Sequence, residues 1–194
     1  MLQYKNVIKE DNLNLRKHSE NVTLPLSDED KQLILDLNEY LENGYDEEKC
    51  KLYDIRPGVG IAAVQVDALK KIFVILAQDE DGIIHHYGVI NPKIISHSEE
   101  LTYLEQGEGC LSVDRSVDGL VHRPKRITVR CNLFNFEAHE TSETTLKLKG
   151  FIAVVFQHEY DHLFGRLFID YINKENPFFI PKNSKPVEFK SIEE

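Results

Sequence analysis

The stretch GFIAVVFQHEYDHLFG, residues 150–165, constrains the fold more than any other part of the chain. Its opening run, FIAVVF, is apolar on nearly every side, and a helix apolar all round is a buried one. His158, Glu159 and His162 interrupt that helix, and Gly165 is placed to end it. Buried imidazoles and carboxylates cost free energy unless something pairs them. The rest of the chain must therefore wrap one central helix and give its polar groups a partner.

His158 and His162 are one helical turn apart, so their imidazoles project from the same face. Two ligands so placed can approach one metal at about 2.0–2.1 Å. Glu159 sits about 100° further round the helix, so it reaches a water at that metal without taking a coordination position. The arrangement has the form H-E-x-x-H. The plainer alternative is a pair of partly buried histidines and a surface glutamate.

Two histidines do not complete a site, because catalytic zinc has three protein ligands and one open position. The longer protease form, H-E-x-x-H-x-x-G-x-x-H, matches as far as Gly165 and fails at Phe168. A glutamate ligand downstream would have to be Glu175, Glu188, Glu193 or Glu194, all in a Pro-interrupted tail. Upstream, EGCLS (residues 108–112) offers Cys110 at the end of a β-like run. Gly107 and Gly109 let another element approach its backbone. Cys50 and Cys131 read instead as small buried hydrophobes.

Around this helix the chain reads as β framework. KKIFVILAQ, HHYGVINPKII, LTYLEQGEGCLSV, RITVRCNLF and TTLKLKG are short, rich in β-branched or aromatic residues, and bounded by turn residues. One amphipathic helix precedes them. Ser27 is its N-cap, Leu33, Ile34, Leu37 and Leu41 recur at helical spacing, and Gly44 is its stop. The charged stretch DEEKCKLYDIRPG then leads through a Pro-Gly turn into GIAAVQV. The tail, from about residue 174, contains prolines and reads as irregular, with one short strand around Val187–Phe189. The expected fold is α+β, with mostly antiparallel β-sheets around a central buried helix, in one domain over residues 1–194.

The 33 acidic against 23 basic residues give a net charge of −10. That balance argues against wrapping a phosphate backbone, and so against direct nucleic-acid binding, DNA included, although it leaves room for a local basic patch. The N-terminus has neither the apolar core of a secretory signal nor the composition of a transit peptide. The runs IFVILA and FIAVVF are too short to span a membrane, which takes about 20 residues. Three sparse cysteines point to a reducing cytoplasm and no disulfide framework.

GVGIAAVQ (residues 58–65), EGCLS and QHEYDHLFG, in this order, resemble the three signature motifs of the peptide deformylases. The insertion around Asp46–Asp54 and the continuation EGCLSVDR look like the type 2 branch. Val64 stands where the family usually has proline, a departure that touches loop rigidity. The resemblance implies metal ligation by Cys110, His158 and His162 with water in the fourth position. Iron(II) is the expected ion, with zinc or nickel as alternatives in a preparation.

It also implies hydrolysis of the formyl group from the N-terminal formyl-methionine of nascent polypeptides. Glu159 is the expected general base and then acid, while Gln65 and the Leu111 N–H stabilise the oxyanion. Val59 and Gly60 bind the substrate backbone, and Val59, Gly109 and Val155 face the methionine side chain. Asp161 and Glu108 either orient the histidines or are ordinary ion-pair partners. The ribosome is an expected transient neighbour. A metal-stabilised binding domain without catalysis would lack Glu159 or Gln65, and both are present. A broad metalloprotease is disfavoured by the cysteine ligand.

Overall fold

A computed structural model describes residues 1–190; Glu193 and Glu194 lie outside the described residues. Helix α1 (Asp28–Asn43) begins as its sequence predicts. The Ser27 hydroxyl accepts from the Asp30 N–H at 3.1 Å, and three acidic residues fill the first turn. Gly44 caps the other end in the right-handed region, at φ −66°. Its role there is space, since a Cβ would stand 3.1 Å from the Leu41 carbonyl oxygen.

The charged stretch expected as a connector forms a second helix, α2 (Glu47–Tyr53). Asp46 caps it, accepting from the N–H groups of Glu48 and Lys49. No residue of α2 is buried, so it carries no apolar stripe for periodicity to detect.

Strands β1 (Gly60–Ala62), β2 (Ile72–Gln78), β3 (Ile84–His97), β4 (Leu101–Tyr103), β5 (Arg123–Pro124), β6 (Arg126–Phe134) and β7 (Thr141–Lys149) follow. Helix α3 (Gly150–His162) and strand β8 (Ser184–Pro186) complete the order. Five strands form an antiparallel sheet in the order β1-β2-β3-β6-β7, and three form a second sheet, β5-β4-β8. Among the strands of the described residues, β4 and β8 alone pair in parallel.

The large sheet is covered on both faces where β2 crosses it. Phe73 and Ile75 pack with Val129, Ile152, Ala153 and Phe156 beneath α3. Ile72 and Val74 turn the other way, onto Ile34, Leu37 and Leu41 of α1. The expected α+β framework around a buried helix is what the chain adopts.

Three local expectations need correction. LTYLEQGEGCLSV forms a strand only over Leu101–Tyr103. Gly107, at φ +75°, breaks the run, and Cys110 sits in a turn where its carbonyl accepts from the Val113 N–H at 3.2 Å. The tail strand lies at Ser184–Pro186 rather than Val187–Phe189, because pairing with three-residue β4 sets its position. Cys131 is buried as expected, whereas Cys50 is only half-buried. Among the described residues no helix is long and apolar enough to cross a membrane.

Candidate metal centre

Three elements bring the predicted residues together. The apolar run of α3 packs into the core and carries His158, Glu159 and His162 inward, all buried. The turn after β4 brings Cys110 to the same point. Among the described residues, Cys110, His158 and His162 form the one cluster of three metal donors, with ligand atoms within 4.8 Å of one another. The Cys110 Sγ lies 3.4 Å from Nε2 of His162.

This donor set fits a transition-metal ion. One sulfur and two imidazole nitrogens leave a fourth tetrahedral position open. The Glu108 carboxylate accepts from Nδ1 of His158 at 2.8 Å, which leaves the other ring nitrogen to face the cluster. Burial opposes ionisation of the Cys110 thiol, yet the His162 and His158 imidazoles hold it well below the ordinary thiol range. A thiolate ligand is therefore ready-made.

Behind the cluster lies a buried ion network. Arg123, 4% exposed, donates to both Glu108 oxygens at 2.5 and 2.9 Å and to Asp161 at 2.8 Å. The Tyr171 hydroxyl donates to the second Asp161 oxygen at 2.8 Å. Burial pushes the Glu108 carboxyl up, but Arg123 and His158 hold it down at about 2. So Glu108 orients a histidine directly, while Asp161 acts one step back through Arg123. Sequence reasoning did not single out Arg123, since one arginine in RPKR carries no local sign of burial.

Glu159 is placed differently from its neighbours. It is 4% exposed, its Oε2 has no hydrogen-bond partner, and burial pushes its carboxyl up to about 7. Gln65, 1% exposed, accepts from the Ala62 N–H at 2.9 Å through Oε1. That bond turns its amide nitrogen toward Ser112 Oγ at 3.1 Å and Cys110 Sγ at 3.6 Å. The Leu111 N–H makes no hydrogen bond among the described residues, leaving a free donor beside Cys110.

These groups open into one cleft of about 270 Å³. Val59, Gly60, Gly109 and Val155, the residues expected to hold substrate, line it together with Arg56, Leu104, Phe151 and Val154. Gly109 departs from expectation in one respect: a Cβ there would meet nothing within 4 Å, so the direction its side chain would take is open. Gly107 does make the close approach, with a Cβ reaching 3.0 Å from the Gly119 carbonyl oxygen.

Residues 4–178 match the family model described as polypeptide deformylase. The chain is 49% identical over 188 residues to peptide deformylase 2 of Bacillus cereus, covering 97% of this chain and 100% of that one. To peptide deformylase 2 of Bacillus subtilis it is 42% identical at the same coverage. The crystal structure of peptide deformylase from Ehrlichia chaffeensis superposes with a TM-score of 0.68 at 29% identity, covering 89% of each chain. With its sulfur-imidazole cluster, its buried glutamate and these matches along nearly its whole length, the chain belongs to the polypeptide deformylase family.

Proposed function

We propose that this chain is an active metal-dependent deformylase, which removes the formyl group from the N-terminal formyl-methionine of newly made polypeptides and releases formate. One observation carries the reading. Three buried metal donors, Cys110, His158 and His162, stand beside a fourth buried group, Glu159, and Cys110, His158 and Glu159 line one cleft.

A bound divalent ion supplies Lewis acidity, polarising a carbonyl oxygen and lowering the pKa of water from about 15.7 toward about 7. Glu159 takes the proton from the attacking water as its oxygen adds to the formyl carbon. When the C–N bond breaks, Glu159 returns that proton to the departing amine, and formate keeps the added oxygen. A carboxyl at about 7 suits both transfers, because a proton carrier works best near the operating pH.

Gln65 and the Leu111 N–H donate to the oxygen on which charge develops, each worth about 10²–10³ in rate. Strand β1 is an edge of its sheet, so a peptide adds beside Val59 and Gly60 through main-chain hydrogen bonds. Such pairing accepts many sequences. Val59, Gly109 and Val155 face the methionine side chain, and the open space at Gly109 leaves room for it.

Iron(II) is the proposed working ion, since one thiolate and two imidazoles accept iron, zinc and nickel alike and family resemblance favours iron. Residues 1–194 act as one catalytic domain in the cytoplasm, with transient ribosome association where the substrate emerges. The test is formate release by the metal-loaded protein from formyl-Met, acetyl-Met and unblocked Met peptides. Turnover of the formylated peptide alone is expected. Cleavage of internal peptide bonds, or no turnover of any of the three, would overturn the reading.

A further inference from the structure

The outward face of the large sheet collects positive charge in an otherwise acidic chain. Along β6, Arg126, Thr128, Arg130 and Asn132 alternate outward with buried Ile127, Val129 and Cys131. The register sets Lys93 of β3 directly opposite Arg130. It likewise sets Lys147 opposite Thr128 and Lys149 opposite Arg126 on β7. Two depressions meet along β6, one lined on this face by Lys93, Arg130 and Glu143, the other by Arg126, Lys147 and Lys149. Five cations line this face against Glu143, with Glu100 and Asp81 reaching two of them, although acids outnumber bases 33 to 23 in the whole chain.

Like charges directly opposite each other destabilise a sheet. Arg126 and Lys149 are relieved by Glu100 at 2.9 Å and Asp81 at 3.4 Å. Lys93, Arg130 and Lys147 make no ion pair among the described residues. Lysines on an edge strand are a common guard against edge-to-edge pairing, which accounts for those on β7. That guard does not account for Lys93 facing Arg130 on two interior strands.

We propose that this face docks the phosphate backbone of a structured RNA. Such backbones are bound through Lys and Arg, with hydroxyl and amide side chains adding hydrogen bonds. Here Ser96, Thr128, Asn132 and Thr145 lie between the cations. A membrane-binding surface would carry an apolar face in that place. The cleft beside β1 is at the opposite edge of the same sheet, so docking leaves it free.

The experiment uses the metal-loaded full chain and a fluorescein-labelled RNA hairpin, followed by anisotropy between about 50 and 200 mM salt. Lys93→Glu/Arg130→Glu/Lys147→Glu is compared with Lys51→Glu/Lys174→Glu/Lys182→Glu, which changes net charge equally at exposed sites off this face. A milder pair, Lys93→Gln/Arg130→Gln, covers the case that triple reversal disturbs folding. The face variant should bind RNA at least about 10-fold more weakly at the lower salt. Its salt slope should fall by about one unit per lost contact. The control should stay within about threefold of the parent. Turnover of formyl-Met peptide should be unchanged in all of them, which keeps this outcome separate from the deformylase reading. Equal loss in both triple variants would overturn the proposal, as would failure of the parent to bind RNA. So would binding to phosphatidylserine vesicles that depends on these residues while RNA binding does not.

Discussion

A Cβ placed on Gly60 would lie 2.5 Å from Oε1 of Glu159, closer than real Cβ atoms come to anything. The absent side chain of β1 is the space that the buried carboxylate occupies. One residue of the cleft wall thus sets where another residue's oxygen stands.

Gly60→Ala should therefore displace Glu159 while sparing the metal donors. A misplacement of about 1 Å at a reacting group costs about 10²-fold. We expect kcat/KM to fall by about that factor with metal content unchanged. Full activity in the variant would show that Glu159 can occupy another position.

Glu108→Gln should weaken the grip on the metal. The glutamine still reaches His158 but no longer holds it with charge, and Arg123 loses its principal counter-charge in a buried site. Partners of this kind are worth about 10–100-fold in metal affinity. Leaving a buried guanidinium half-paired costs about 3 kcal/mol of stability. Competition with a chelator and urea unfolding measure the two effects; a variant with unchanged metal affinity would contradict the orienting role.

Asp30 provides a pH test away from the centre. Burial pushes its carboxyl up, but Lys70 at 2.7 Å and Ser27 at 2.8 Å hold it below the usual 3.8. A depressed folded value means the contribution is present above about pH 4 and is lost as pH falls through the folded value. Asp30→Asn should cost about 1–2 kcal/mol at pH 7. Below about pH 3 the gap to the parent should shrink toward zero. A gap that stays constant with pH would sever the link to ionisation.

If iron(II) is the working ion, activity should decay in air, because oxygen attacks both the ion and the Cys110 thiolate beside it. Nickel or zinc, which do not readily give up an electron, should decay more slowly. Protein reconstituted with each ion and assayed with and without air decides the matter. Equal air stability of the iron and nickel forms at equal activity would remove the case for iron.

The centre was legible in proportion to how local its geometry is. His158, Glu159 and His162 sit on one helix, where spacing alone sets the face. Cys110 comes from a turn rather than a strand, so its flanking glycines made it a candidate and the order of the three motifs made it a ligand. Arg123 enters through β5, a two-residue strand, and nothing in its neighbourhood marks it as buried. Helix α2 was hidden because it has no buried side, and β8 because its place is set by distant β4, Leu101 pairing with Ser184.

The most direct test of the account is Glu159→Ala, with metal content and turnover measured on the same preparation. Glu159 moves protons and does not ligate, so the variant should keep full metal occupancy. Its deformylation of a formyl-Met peptide should fall by about 10²–10⁴-fold. Activity above a few per cent of the parent (about 1 in 10² is the least loss expected), with metal in place, would mean that another group is the base and would contradict the account.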